Sequence, residues 1–302
     1  MGNVIPRFIW TMANAPDNTP FLFTKIDLKD GYWRMVVNPD KAWNFAYVLP
    51  RLSEDEEIQL VIPDALQMGW SESPPFFCAA TKTARDIADR NFRKNTPMEP
   101  QHNEDIVMKT IPATSTDNID AKIIHLLEIY IDDFVAMIKT QDEKELRRLT
   151  RCILKGITDV FPQPWETNSI MGPPISPHKL DEEGPWETRK EILGWILDGI
   201  ARTIQLPAKK CDKLIDELRS LARAKRIPTK ELKSLQGKLQ FAAIGVPLGK
   251  PLLGPVDQIL AKAKAQKANK ITVNKVLVQY SRNWRALLYM MKSRPTNVKE
   301  LV

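Results

Sequence analysis

Two apolar runs in this chain end on aspartate. The first is Phe23-Thr24-Lys25-Ile26-Asp27, which continues into Leu28-Lys29-Asp30-Gly31-Tyr32-Trp33. The second is Ile129-Tyr130-Ile131-Asp132-Asp133-Phe134. A carboxylate in an apolar setting is costly without a partner, and two adjacent carboxylates raise each other's pKa. A divalent cation resolves that conflict. Mg2+ takes hard oxygen ligands and is shared between a few carboxylates and substrate phosphates. If Asp27 lies on a strand beside Asp132 and Asp133, the three complete a site for two ions. Two ions about 3.5–4 Å apart serve phosphoryl and nucleotidyl transfer. An Asp-Asp pair also occurs in ordinary turns, where Asp bonds its own backbone, and in phospho-acceptor pockets. The third carboxylate is what gives the metal reading weight.

The elements that must position these groups read as α+β. Residues 1–20 read as loop or weak helix, broken by Pro6, Pro16 and Pro20. Residues 21–37 read as a strand, a turn at Asp30-Gly31 and a second strand rich in strand formers. A short strand at 45–49 follows, then a polar, acidic tip at 51–57. Helical spacing runs over 76–93, behind Ser73-Pro74-Pro75. Residues 94–120 are rich in Pro, Thr, Asn and Asp and read as a surface insertion. Residues 126–137 read as strand, turn and strand, 142–160 as an amphipathic helix, and 161–190 as a Pro-rich loop. Asp198-Gly199 between apolar runs at 192–197 and 201–206 signals a hairpin. After Pro207 the pattern turns helical, over 209–224, 229–243 and 256–268. The expected division is therefore a mixed region, 1–206, and a helical region, 207–302.

Composition narrows the function classes. Of 302 residues, 43% are hydrophobic and 27% charged, which suits a packed core and excludes a disordered chain. No apolar run approaches the ~20 residues of a membrane span. The N-terminus lacks a signal-peptide layout, and Pro6 stands where a myristoylation motif wants Ser or Thr. An intracellular protein without membrane partners is the expectation. Cys78, Cys152 and Cys211 fit neither a disulfide framework nor a zinc site. The net charge of +7 is unevenly spread. Between Leu206 and Val302, Lys and Arg outnumber Asp and Glu 21 to 6, whereas elsewhere they are outnumbered 23 to 31. The basic third points to a polyanion partner or to a merely solvated basic face.

Taken together the motifs resemble a family. Tyr130-Ile131-Asp132-Asp133 resembles the Tyr-x-Asp-Asp box of reverse transcriptases, and Asp27 to Trp33 resembles their first aspartate motif. Leu66-Gln67-Met68-Gly69-Trp70-Ser71-Glu72-Ser73-Pro74-Pro75-Phe76 resembles the motif between them. Ile192-Leu193-Gly194-Trp195 resembles the primer-grip hairpin, and Leu235-Gln236-Gly237-Lys238-Leu239-Gln240-Phe241-Ala242 the thumb helix. The matches stand in family order and are most similar to retrotransposons of long-terminal-repeat or tyrosine-recombinase type. The resemblance implies a polymerase palm, an antiparallel sheet backed by helices, followed by a helical thumb. It implies an RNA-directed DNA polymerase that adds dNTPs to a primer 3′-hydroxyl on an RNA or DNA template.

The roles the resemblance implies are residue by residue. Asp27, Asp132 and Asp133, with the carbonyl of Leu28, hold two Mg2+ ions, for which Mn2+ can substitute. Tyr32 gates the sugar. Met68, standing where many relatives carry Gln, shapes the nucleotide pocket with Gly69 and Trp70. Leu193, Gly194 and Trp195 hold the primer end. Gly237, Gln240 and Phe241 face the duplex minor groove, and Lys179 is a candidate proton donor to pyrophosphate. Lys209, Lys210, Lys213, Lys230, Lys233 and Lys238 are candidate phosphate contacts, whose affinity falls with salt. Two departures stand beside the match. The fingers region expected before Asp27 is largely missing, and no ribonuclease H-like domain follows. The chain then reads as part of a polyprotein, and the alternative reading is a truncated, catalytically inactive nucleic-acid-binding remnant. An unrelated acidic-pocket α/β protein is a third reading. The long spacing between Asp27 and Asp132 is attributed to insertions at 51–60 and 94–120.

Overall fold

The computed structural model describes residues 3–16, 20–51, 53, 57–110, 123–140, 142–167 and 171–302. The chain divides into two compact units. A central unit spans Phe23–Glu187, and a terminal unit combines Met1–Leu22 with Thr188–Val302. Both mix helices with small sheets, so the α+β expectation holds at that level.

The first half of the chain runs α1 (Val4–Asn14), β1 (Phe21–Asp27), α2 (Pro39–Ala42), β2 (Tyr47–Val48), β3 (Leu60–Val61), α3 (Ser73–Arg93) and α4 (Glu104–Met108). The central unit continues with β4 (Ile124–Tyr130), β5 (Asp133–Lys139), α5 (Glu143–Val160), α6 (Pro164–Thr167) and α7 (Pro177–Glu183). Its main sheet has the order β1-β5-β4, with β4 and β5 antiparallel from Ile124↔Lys139 to Tyr130↔Asp133. Strand β5 is buried from Phe134 to Lys139, as the middle strand of a covered sheet must be. Helix α3 carries Pro74 and Pro75 in its first turn, where no intrahelical donor is lost. It buries Phe77, Thr81, Ala84, Ala88 and Phe92, one face at helical spacing. Helix α5 is capped by Asp142, whose Oδ1 accepts from the Lys144 N–H at 2.8 Å. Gly156 lets α5 approach α3 closely. A Cβ there would lie 2.5 Å from the Ala84 carbonyl oxygen and 2.9 Å from the Ala88 Cβ.

The terminal unit continues with β6 (Arg189–Ile192), β7 (Trp195–Asp198), β8 (Thr203–Gln205), α8 (Ala208–Arg223), β9 (Arg226–Pro228) and α9 (Thr229–Ala242). It closes with α10 (Gly254–Ala265), β10 (Lys270–Thr272), α11 (Lys275–Ser293) and β11 (Thr296–Asn297). The antiparallel sheet has the order β11-β8-β7-β6, and β9 pairs with β10. A buried polar junction ties three helices. Gln236 of α9 donates to the Asp257 carboxylate of α10 at 2.8 Å, and the Tyr280 hydroxyl of α11 donates to Gln236 at 2.6 Å. Helix α1 buries Val4, Ile5, Phe8, Ile9 and Met12. Arg202 pins its end, donating to the carbonyls of Met12 at 2.6 Å and Pro16 at 2.8 Å.

Several elements differ from the sequence reading. Residues 4–14 form a helix despite Pro6, because the first N–H groups of a helix have no intrahelical acceptor to lose. Tyr32–Arg34 is a 3-10 turn instead of a second strand. Arg34 holds it there by donating to the carbonyls of Lys29, Gly172 and Pro173 at 2.7–2.8 Å. The segment taken as a surface insertion contains α4, whose Val107 and Met108 are buried. The run 192–197 is two strands, because Leu193 (φ 47°) and Gly194 (φ 81°) form a two-residue turn. Strands β9, β10 and β11 and helix α11 are not among the elements read from sequence. Beside the expected division at 206/207, the compact units divide the chain at 187/188. The reason is packing: Trp195 of β7 is fully buried, its ring 5.2 Å from that of Phe241 on α9. Residues 52, 54–56 and 111–120 of the two proposed insertions lie outside the described residues.

Candidate metal centre

The geometry of the central unit brings the three aspartates together. Asp27 ends β1, Asp133 starts β5, and Asp132 sits in the two-residue turn between β4 and β5. One carboxylate oxygen from each lies within 4.8 Å of the others. The Leu28 N–H donates to the Asp132 carbonyl at 3.1 Å, fixing the end of β1 against the turn. The Leu28 side chain is buried. Ile131 takes φ 61°, a left-handed conformation that a β-branched residue rarely adopts. The turn that presents Asp132 is therefore held under backbone strain.

The electrostatics follow from this crowding. Burial pushes the Asp133 carboxyl up to about 6 against the pull of Lys25, and Asp132 and Asp27 push the same way. Burial also raises Asp132, with Asp27 adding to it, while Lys179 and Lys25 oppose. The donor set fits a hard divalent cation: oxygen only, anionic and clustered.

Two ammonium groups border the carboxylates. Lys179 Nζ lies 2.5 Å from Asp27 Oδ2. Lys25 Nζ lies 3.2 Å from Asp133 Oδ1 and 2.7 Å from Glu183 Oε2. Sequence reasoning named Lys179 and missed Lys25 and Glu183. Lys25 stands two residues before Asp27 on the same strand, so period-two alternation puts both on one face. Glu183 follows Lys179 by four on α7, the spacing that puts two helix residues on one face.

The expected nucleotide-pocket residues lie in the same unit. The Tyr32 ring packs on Phe77 with centroids 4.8 Å apart, and Gly31 fits beneath that ring with no room for a Cβ. Burial raises the Tyr32 phenol, with Cys78 and Asp132 contributing. Met68 is 70% exposed, so it is not a core residue. Gly69 takes φ 97°, which suits glycine alone. Trp70 stacks on Phe76 at 6.0 Å.

The primer- and duplex-contact candidates come together within the terminal unit. Lys210 donates to the Gly194 carbonyl at 3.0 Å and sits 5.9 Å over the Phe241 ring. On α9, Lys230, Lys233, Gly237 and Gln240 are exposed along one stripe, and nothing lies within 4 Å of a Cβ built on Gly237. Leu193 and Gly194 are half-buried. Trp195, expected with them at the primer end, is fully buried against Phe241. Lys238 pairs with Glu217 at 2.6 Å, and Lys209, Lys213, Lys230 and Lys233 are exposed.

No protein-family model matches this chain, and no curated protein matches it. No described helix is long and apolar enough to cross a membrane.

Proposed function

We propose that the chain is the palm and thumb portion of a reverse transcriptase, an RNA-directed DNA polymerase of a retroelement. The observation that carries this reading is the convergence of Asp27 with Asp132 and Asp133, so far apart in sequence, on one oxygen cluster. The order of the flanking motifs supports it. Asp27, Asp132 and Asp133 would hold two Mg2+ ions. Ions held there would supply activation of the attacking oxygen and neutralisation of charge on the leaving one. In the reaction the primer 3′-oxygen bonds to the α-phosphorus of a dNTP. The bond from that phosphorus to the bridging oxygen breaks, and pyrophosphate leaves.

The chain's own groups do the rest. Tyr32, packed on Phe77, is the candidate for discrimination at the sugar. Lys179, whose Nζ lies beside Asp27, is the candidate donor of a proton to pyrophosphate. The exposed stripe of α9 offers lysines and an open backbone to a duplex of any sequence.

Primer extension with Mg2+ tests the reading, with Asp132→Asn as the comparison. Incorporation by the unaltered chain, abolished in the variant, is the expected result. Equal incorporation by both sinks the assignment. Salt-sensitive duplex binding with no extension even in Mn2+ identifies an inactive nucleic-acid-binding remnant instead.

A further inference from the structure

The two lysines at the carboxylates are held in different ways. Lys25 stands on β1 with a side chain 18% exposed, and its Nζ is shared between Asp133 at 3.2 Å and Glu183 at 2.7 Å. Lys179 has a side chain 57% exposed and its Nζ contacts Asp27 alone within the cluster, at 2.5 Å. Helix α7 is anchored independently of either pair. Leu180 is buried, and the Thr24 hydroxyl of β1 donates to the Gly184 carbonyl just past the helix end. The helix therefore stays in place when the Lys179 side chain moves.

We propose that Lys179 is an exchangeable stand-in for a divalent cation on Asp27, and that Lys25 is a permanent counter-ion that positions Asp133. The proposal rests on the metal reading above. Asp27, Asp132, Asp133 and Glu183 bring four negative charges to this corner against the two ammonium groups. Without an ion, Lys179 is the ammonium paired with Asp27, while Lys25 is paired with Asp133 and Glu183. A Mg2+ ion on the same oxygen would sit about 2.1 Å from it, so ion and ammonium would be like charges only a few ångströms apart. The ammonium with one partner and an exposed stem is the one that yields. Lys25, with two partners and a stem fixed in the sheet, remains and keeps Asp133 oriented. Metal binding thereby also frees Lys179 for the proton-donor role.

The test is Mn2+ affinity by titration calorimetry on the full chain, alongside lysine ammonium NMR signals during Mg2+ addition. Lys179→Met changes an exposed side chain, and circular dichroism checks that it folds. The expected result is Mn2+ binding roughly twofold to fivefold tighter in Lys179→Met, the scale of an exposed ion pair removed as competitor. The Lys179 signal, assigned by its absence from the variant, should shift toward that of a free lysine as Mg2+ is added. The Lys25 signal should persist. Equal Mn2+ affinity in both chains, with the Lys179 signal unmoved, overturns the exchange and leaves the metal reading standing. Absence of Mn2+ binding in both chains overturns the two together.

Discussion

The central unit holds two clusters of charge that the fold treats in opposite ways. At Glu104 one buried carboxylate meets two arginines. Arg151 grips it with two bonds at 2.8 Å, and Arg147 adds a third at 3.3 Å. Burial alone would raise this acid, but the arginines overcome it and leave it below the ordinary glutamate value. At the other cluster three aspartates share two lysines, and Asp133 is pushed up to about 6. The first cluster is complete and holds α4 against α5. The second lacks positive charge, and the deficit is what a bound cation would fill. Opposite shifts in one unit separate an acid whose charge the fold compensates from acids whose charge it leaves under-compensated.

Replacing a carboxylate by its amide should therefore have opposite signs at the two places. Glu104→Gln weakens charge-assisted bonds to two arginines and should cost about 2–3 kcal/mol. Asp133→Asn removes an acid the fold disfavours in its charged form. At pH 7 with chelator present it should raise stability by about 1–2 kcal/mol. Urea unfolding of the two variants measures both. Two changes of the same sign would erase the distinction between the clusters. Added Mg2+ should then stabilise the unaltered chain and leave Asp133→Asn little changed, because the ion binds only the folded site.

Acid titration sharpens the contrast. Asp133 has a folded value of about 6, above its unfolded one, so between these values the folded state binds more protons. Its contribution becomes less favourable as pH rises through that interval. The stability difference between Asp133→Asn and the unaltered chain, measured with chelator, should vanish near pH 4 and reach its plateau above about pH 6. Glu104 runs the other way. Its folded value lies below its unfolded one, so its stabilisation is present above the unfolded value and is lost as pH falls through the folded value. Melting curves across this range in the two variants check both slopes.

The same contrast explains what was legible in the sequence. The aspartates stood out because each closes an apolar run, and the hairpin around Asp132 follows from strand-turn-strand patterning. Helices α3 and α5 show their buried faces at helical spacing. Helix α4 was hidden, because the partners that bury Glu104 lie on α5, at Arg147 and Arg151. A five-residue segment gives no local sign of such partners. Lys25 was hidden for a similar reason: its two acids come from β5 and the end of α7. The burial of Trp195 was not legible, because an aromatic beside a hairpin turn reads the same whether it faces a ligand or the core. The boundary near Pro207 was placed by composition, whereas packing of Trp195 on Phe241 joins the sheet to the helices after it.

The smallest effect concerns the turn that carries Asp132. Charge is not the only strain there, since Ile131 at φ 61° adds a backbone cost of about 1–3 kcal/mol. Ile131→Gly removes that cost, while the freer unfolded chain takes back roughly 0.5–1 kcal/mol. The half-buried isoleucine side chain also gives up some apolar contact. The net expectation is a gain of up to about 1 kcal/mol in urea unfolding with chelator present. The turn should at the same time become less well held. Mn2+ affinity should fall even as the chain grows more stable, because a strained turn that fixes Asp132 is exchanged for a relaxed one that does not. A variant that loses stability instead would show that the turn sits comfortably in its left-handed conformation. The under-compensated charge would then be the one strain the site contains.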